Sequence, residues 1–301
     1  MKILLVTNKT YRGHLDGGYY NLFLPLQQLG HEVYFYDTVN PDEKDFTKVL
    51  YSFGPDLIFC CMTGDRGIAP HEPWLEILEE TQSGRTKTFN WFCDDTWRFD
   101  NFSSKVCRYF THCSTPEPSY INKYKSIGYD NITVGNWHVN DKILSYSELK
   151  DIDISFIGFL TDSRKSFFET VKKEITQIEN FHGLDNNEMH LTFSRSRMGI
   201  NLASNDNDIS GRTQMKLRMF EIPAFNSMMI TQYHEDLKEF YEFDKEIITF
   251  KTIPEFIEKT KFLLKRPKLV ETIARNGNER FLRDHTSEVR LTNILNWINN
   301  G

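Results

Sequence analysis

Short, continuous apolar runs recur along the first 140 residues, each ending in a polar loop that leads into a helical pattern. This rhythm is the strongest constraint on the fold. Ile3 to Val6 runs into a polar loop, Thr7 to Gly18, and then a helical pattern from Tyr19 to Leu29 stopped by Gly30. His31 to Asp37 and Asp56 to Met62 repeat the strand signal, with a helix between them over Asp42 to Ser52. Further strands are expected over Thr86 to Cys93, Arg108 to Ser114 and Asn131 to Val139, with helices over Pro73 to Thr81 and Ser119 to Ser126. Apolar runs without alternation mean strands buried on both faces, and strand-helix-strand order means a parallel sheet.

The pattern restarts after a polar segment, Asn140 to Asp151. Ile152 to Phe159 reads as a buried strand, and Asp162 or Ser163 can cap a helix running to about Ile178. Met198 to Ala203, Met228 to Thr231 and Glu246 to Phe250 read as strands. Pro254 to Lys265, Pro267 to Arg283 and Ser287 to Asn299 read as amphipathic helices, the first two with proline near the N-terminus. The expected class is α/β, with two Rossmann-like doubly wound domains, 1–145 and 146–301.

Bulk properties exclude several function classes. At 301 residues with 39% hydrophobic content the chain can bury two ordinary cores. A net charge of -6 gives no global attraction to nucleic acid or anionic lipid. Cys60, Cys61, Cys93, Cys107 and Cys113 are an odd set without a CxxC pair, which points to core packing in a reducing compartment rather than to disulfides or zinc. Residues 1–7 are too short an apolar run for a signal peptide and no apolar stretch of membrane-spanning length occurs, so a cytoplasmic location is expected.

In open α/β sheets ligands bind beyond the carboxyl ends of the strands, so polar residues there are the candidates. The first loop offers Gly17 and Gly18, whose backbone amides could approach a ligand, with His14 and Asp16 as acid or base groups. The alternative is a surface loop in which the glycines only permit the turn, and spacing alone leans that way. Asp94 and Asp95 end the fourth strand; adjacent carboxylates point apart, so at most one is expected to face a site. Trp91, Trp97 and Phe99 could stack on a sugar ring, or serve the core. In the second domain Arg164 and Lys165 open a helix, where cations oppose the helix dipole unless a phosphate approaches. The stretch Gly211 to Thr231 carries most. Ser210 to Gln214, including Gly211, Arg212 and Thr213, suits a diphosphate cradle, with charge added by Lys216 and Arg218. Glu221 lies in an apolar helical face and can accept two ribose hydroxyls, or pair with Arg218 one turn back. Pro223 is expected to close this helix early and Asn226 to take a left-handed turn.

The segments DISFIGF, KLRMFEIPAFNSMMIT, EDLKEFYEFDKEIITF and ETIARNGNERFLRDHTSEVRLTNIL span most of residues 152–295. In their order and spacing they resemble the CgeB-like, spore-maturation type of glycosyltransferase within the GT-B group. The first half is similar only in plan, in LGHEV and in NWFCDD. The resemblance implies two Rossmann-like domains facing across a cleft, the second holding a UDP- or GDP-linked sugar and the first the acceptor, with the last helix crossing back. It makes Glu221 the second glutamate of a Glu, seven residues, Glu pattern, with Thr213 in the place of the first. Phe159 stands where an arginine is usual, leaving Arg164 or Lys165 to supply the cation. The expected activity is hexosyl transfer to a hydroxyl acceptor of glycan, protein or small-molecule type. No cofactor or metal is expected, and the expected outcome, for which no dedicated base is needed, is retention of the anomeric configuration. If it is inverted, Asp94, Asp95, Asp16 or His14 must act as base. A silent sugar-nucleotide or glycan-binding protein and a transferase for modified nucleic-acid bases are the alternatives.

Overall fold

A computed structural model of the chain describes residues 1–11, 13–204 and 212–300. The chain divides into two compact units, Met1–Asn136 with Ser287–Gly301, and Trp137–Thr286. The polar segment 140–151 therefore lies with the second unit.

The first unit is built on a parallel six-stranded sheet. Its strands are β1 (Lys2–Thr7), β2 (Glu32–Asp37), β3 (Leu57–Cys60), β4 (Lys87–Trp91), β5 (His112–Thr115) and β6 (Ile132–Val134), in spatial order β2-β1-β3-β4-β5-β6. Ile3, Leu4, Leu5 and Val6 are all fully buried, as the unbroken apolar run requires. The order reverses between β1 and β3, the topological switch point at which such sheets place ligands. Asp45 caps the helix Phe46–Phe53 by accepting from Lys48 N, and Gly54, at φ 60°, ends it. The expected helix from Tyr19 begins as a π-helical turn, Gly18–Phe23, before Leu24–Gln28. The closing helix, Ser287–Asn300, belongs to this unit: Trp297 meets His112 edge to face at 5.0 Å, and Lys87 Nζ donates to the Ile298 carbonyl at 2.6 Å.

The second unit repeats the plan with β7 (Ile152–Ile157), β8 (Ile178–Phe181), β9 (Ser196–Asn201), β10 (Met228–Gln232) and β11 (Ile248–Phe250), ordered β8-β7-β9-β10-β11 and all parallel. Two features depart from the sequence reading. The helix opened at Asp162 ends at Val171, and Ile178 starts a strand. A further helix, Asn186–Arg195, is set by a capping box in which Asp185 accepts from Glu188 N and Glu188 accepts from Asp185 N. Ile154, Met198, Ile200, Met228 and Ile230 form the sheet side of a core closed by Phe167, Phe168, Phe256 and Val270.

Candidate functional site

In the second unit the switch point lies between β7 and β9, and the segment of highest sequence interest returns to it. Beyond β9, Ser204 N donates to Gln232 Oε1 at 2.9 Å, and Ser204 pairs antiparallel with Thr213. Gln214 N donates to the Ala203 carbonyl at 3.0 Å, and Thr213 Oγ1 donates to the Tyr233 carbonyl at 3.0 Å. Residues 212–214 are thus laced across the carboxyl ends of β9 and β10. The Thr213 hydroxyl is spent on that lacing. Ser210 and Gly211 of the expected diphosphate cradle lie outside the described residues. Arg212 is exposed and Lys216 half-buried.

The helix Arg218–Ala224 follows, with Glu221 in its first turn and Pro223 inside it. Glu221 is 5% exposed. Arg218 Nε lies 3.1 Å from Glu221 Oε2, and the Arg218 guanidinium also donates to the Ile157 carbonyl at the end of β7. The alternative weighed from sequence, the helix ion pair, is therefore formed. It also does more than an exposed pair of that spacing, because Arg218 ties the carboxylate's helix to the end of β7 at the switch point. Asn226 takes the left-handed conformation at φ 51° and turns the chain into β10.

The helix Asp162–Val171 starts just beyond β7. Arg164 Nη1 donates to the Phe159 carbonyl at 3.0 Å and its guanidinium lies over the Phe156 ring, so it is held on the loop after β7. Lys165 instead pairs with Asp162 at 3.2 Å, both widely exposed. A pair this exposed is screened by solvent and fixes little. Gln232 and Tyr233 organise this edge, yet nothing in their local sequence pattern distinguishes them from ordinary strand-end residues.

In the first unit the loop after β1 is a small hairpin, Thr10–Tyr11 with His14–Leu15, turned at Gly13 with φ 85°. His14 is exposed on it, while Asp16 accepts from Asn8 Nδ2 at 2.7 Å. A Cβ on Gly18 would come within 2.7 Å of the Asn8 carbonyl oxygen and 2.9 Å of Thr7 Cγ2, so that glycine serves backbone packing at the end of β1. Gly17 has no such crowding, its built Cβ meeting only Asn21 Nδ2 at 3.7 Å.

Asp94 and Asp95 part company after β4. Asp94 is half-buried and precedes the short helix Asp95–Arg98. Asp95 is 0% exposed and accepts from Tyr124 Oη at 2.8 Å, so it faces the core and cannot serve as the base expected of it. Trp91 and Phe99 are likewise core side chains, with Trp91 Nε1 donating to the Gly135 carbonyl, which leaves Trp97 as the half-buried aromatic of the three. Burial pushes the Asp95 carboxyl up to about 6, against the donors around it. A raised carboxyl pKa favours the folded state below the unfolded value of 3.8, and the benefit is lost as pH rises through 6. Asp95→Asn keeps an acceptor for Tyr124 and removes the titration. It should match the unchanged chain near pH 4 and exceed its stability by up to about 3 kcal/mol near pH 8. Urea denaturation at the two pH values checks this.

A cavity of about 310 Å³ lies at the opposite, amino edge of the second sheet, walled by Leu263, Leu264 and Val270. Beside it Lys150 Nζ donates to three carbonyls, those of Ser196, Phe225 and Asn226, so the ammonium is a structural tie. The cavity is separate from the residues converging beyond β7, β9 and β10.

Residues 147–296 match the family model described as Glycosyl transferase-like, a span within the second unit except for its last ten residues. No curated protein matches the sequence. Among solved structures, sucrose-phosphate synthase from Thermosynechococcus elongatus is similar at TM-score 0.70 and 11% identity, covering 99% of this chain and 98% of that one. HepE of Anabaena, solved with UDP and glucose, is similar at TM-score 0.69 and 10% identity over 100% of both chains. AviGT4, a glycosyltransferase involved in avilamycin A biosynthesis, is similar at TM-score 0.66 and 12% identity, covering 99% of this chain and 97% of that one. The fold is GT-B. The sequence match makes residues 147–296 similar to the glycosyl transferase-like family, and all but the last ten of these residues lie in the second unit.

Proposed function

We propose that the chain moves a hexose from a UDP-linked sugar to a hydroxyl acceptor, with retention and without a metal ion, the donor bound by the second unit and the acceptor by the first. The observation that carries the reading is the convergence of Arg218, Glu221 and residues 212–214 beyond β7, β9 and β10, within the residues that match the family. In this reading Glu221 receives the ribose hydroxyls. Arg218, Lys216, Arg212 and Arg164 offset the charge that develops on the departing diphosphate, which is electrostatic stabilisation by fixed groups. Lys165, already paired with Asp162, contributes less. HepE, of the same fold, is described with UDP and with UDP-glucose, which favours uridine over guanosine. Retention needs no dedicated base. Were the configuration inverted, Asp94 and Asp16, both half-buried, and the exposed His14 are the candidates for the base that remain once Asp95 is set aside.

The order and spacing of the segments DISFIGF, KLRMFEIPAFNSMMIT, EDLKEFYEFDKEIITF and ETIARNGNERFLRDHTSEVRLTNIL support reading the chain as of the CgeB-like type. The cysteines, all free, accord with action in the cytoplasm. Among the described residues no helix is long and apolar enough to cross a membrane.

Incubation with a panel of UDP- and GDP-hexoses, with simple glycosides and alcohols as trial acceptors, tests the reading. Release of UDP from a UDP-hexose, raised by an acceptor, is the expected result. Tight binding of the sugar nucleotide with no release above the uncatalysed rate would make the protein a binder without turnover.

A further inference from the structure

Cys61 and Cys93 are 32 positions apart in the sequence and form no CxxC pair. The fold nevertheless brings them together, because β3 and β4 are neighbours in register, with Cys60 opposite Asn90, and each cysteine follows the end of its strand. Their sulfurs are 3.4 Å apart. Both side chains are half-buried, whereas Cys60, Cys107 and Cys113 are buried. A disulfide needs about 2.05 Å between sulfurs, so a small movement closes the gap. Cys61 N still donates to the Val6 carbonyl at 2.9 Å and Phe92 N to the Ser114 carbonyl at 3.0 Å, so the backbone holds the pair in place and the remaining gap is closed by side-chain rotation. The two cysteines also lead into the two loops that shape this edge of the first unit. One runs from Cys61 to Pro73 and is held by Glu72, which accepts from Thr63 N at 2.7 Å and Gly64 N at 2.8 Å. The other carries Asp94.

We propose that Cys61 and Cys93 form a reversible dithiol–disulfide site, oxidised by low-molecular-weight disulfides of the glutathione type. Cys61, as thiolate, attacks one sulfur of the reagent, and the reagent's other half leaves as a thiolate. Cys93 gives its proton to solvent and attacks the Cys61 sulfur of the mixed disulfide, and the second half of the reagent leaves. In sum two protein thiols lose two protons and two electrons, the electrons reducing the reagent's disulfide to two thiols. The order follows from the surroundings: the hydrogen bond with Cys61, then burial, holds the Cys93 thiol well above the ordinary range, so Cys93 is the resolving partner. Its proximity compensates for its low acidity, since closure is intramolecular. The bond would tie β3 to β4 at the edge where the loops 61–73 and 92–94 begin.

The experiment treats the full chain with oxidised glutathione and follows intact mass and peptide maps, before and after dithiothreitol. The expected product lacks two hydrogens, contains a peptide linked through Cys61 and Cys93, and reverts on reduction. The Cys93→Ser variant should stop at a glutathione adduct on Cys61, and Cys61→Ser should form neither adduct nor link at these positions. A stable adduct on Cys61 of the unchanged chain, an unmodified pair, or links made instead through Cys60, Cys107 or Cys113 would each overturn the proposal. The readout is independent of transferase activity, so the proposed function and this site fail separately.

Discussion

UDP should bind the Glu221→Ala variant about thirtyfold more weakly than it binds the unchanged chain, or worse. A carboxylate accepting two ribose hydroxyls makes two charge-assisted hydrogen bonds, and losing them costs about 2 to 3 kcal/mol after exchange with water. Titration calorimetry reads the loss. The substitution also leaves Arg218 without the carboxylate 3.1 Å away, in a position where its side chain is 24% exposed. Removing one partner of a largely buried pair destabilises, here by about 1 to 3 kcal/mol given the exposure of the arginine. Glu221→Gln separates the two effects, because it keeps the volume and one acceptor while removing the charge. Affinity unchanged in both variants, with the fold intact, would remove Glu221 from the nucleotide site.

Gly277→Ala should cost about 3 kcal/mol of stability without touching any ligand group. Gly277 sits buried in the helix Pro267–Asp284, and a Cβ there would lie 2.4 Å from the carbonyl oxygen of Glu246. That neighbour is backbone, so it cannot swing aside, and the helix would have to lift from the segment leading into β11. The same helix holds the end of Arg218–Ala224, since Asn278 Nδ2 donates to the Pro223 and Ala224 carbonyls at 2.8 and 3.1 Å. Lifting it therefore loosens the support under Glu221, and nucleotide affinity should fall together with the urea midpoint. An unfolding free energy within about 0.5 kcal/mol of the unchanged chain would show that the helix has room to yield.

The doubly wound plan could be read from the sequence because buried parallel strands leave unbroken apolar runs, as Ile3 to Val6 and Ile152 to Phe159 do. Ile178–Phe181 escaped because β8 is a short edge strand and Glu179 interrupts its apolar character. The helix Asn186–Arg195 is largely polar, and its evidence is a capping box rather than an apolar stripe. At the site, the sequence marks out Glu221 because a carboxylate in an apolar helix demands a partner, and the fold supplies Arg218 as that partner. Adjacent acids cannot be sorted in this way. Only the packing of Tyr124 shows that Asp95 turns inward while Asp94 stays half-buried. Thr213 is informative in a different sense: it stands where the resemblance calls for a glutamate, and its hydroxyl is used to lace two strand ends. The Cys61–Cys93 pair has no local signature, because contacts between neighbouring strand ends follow from register alone.

A crystal structure of the chain soaked with UDP tests the central claim most directly. The account predicts both ribose hydroxyls within hydrogen-bond distance of the Glu221 carboxylate and the diphosphate against residues 212–216 and Arg218. UDP bound elsewhere, with the Arg218–Glu221 pair untouched and no contact beyond β7 and β9, would contradict it.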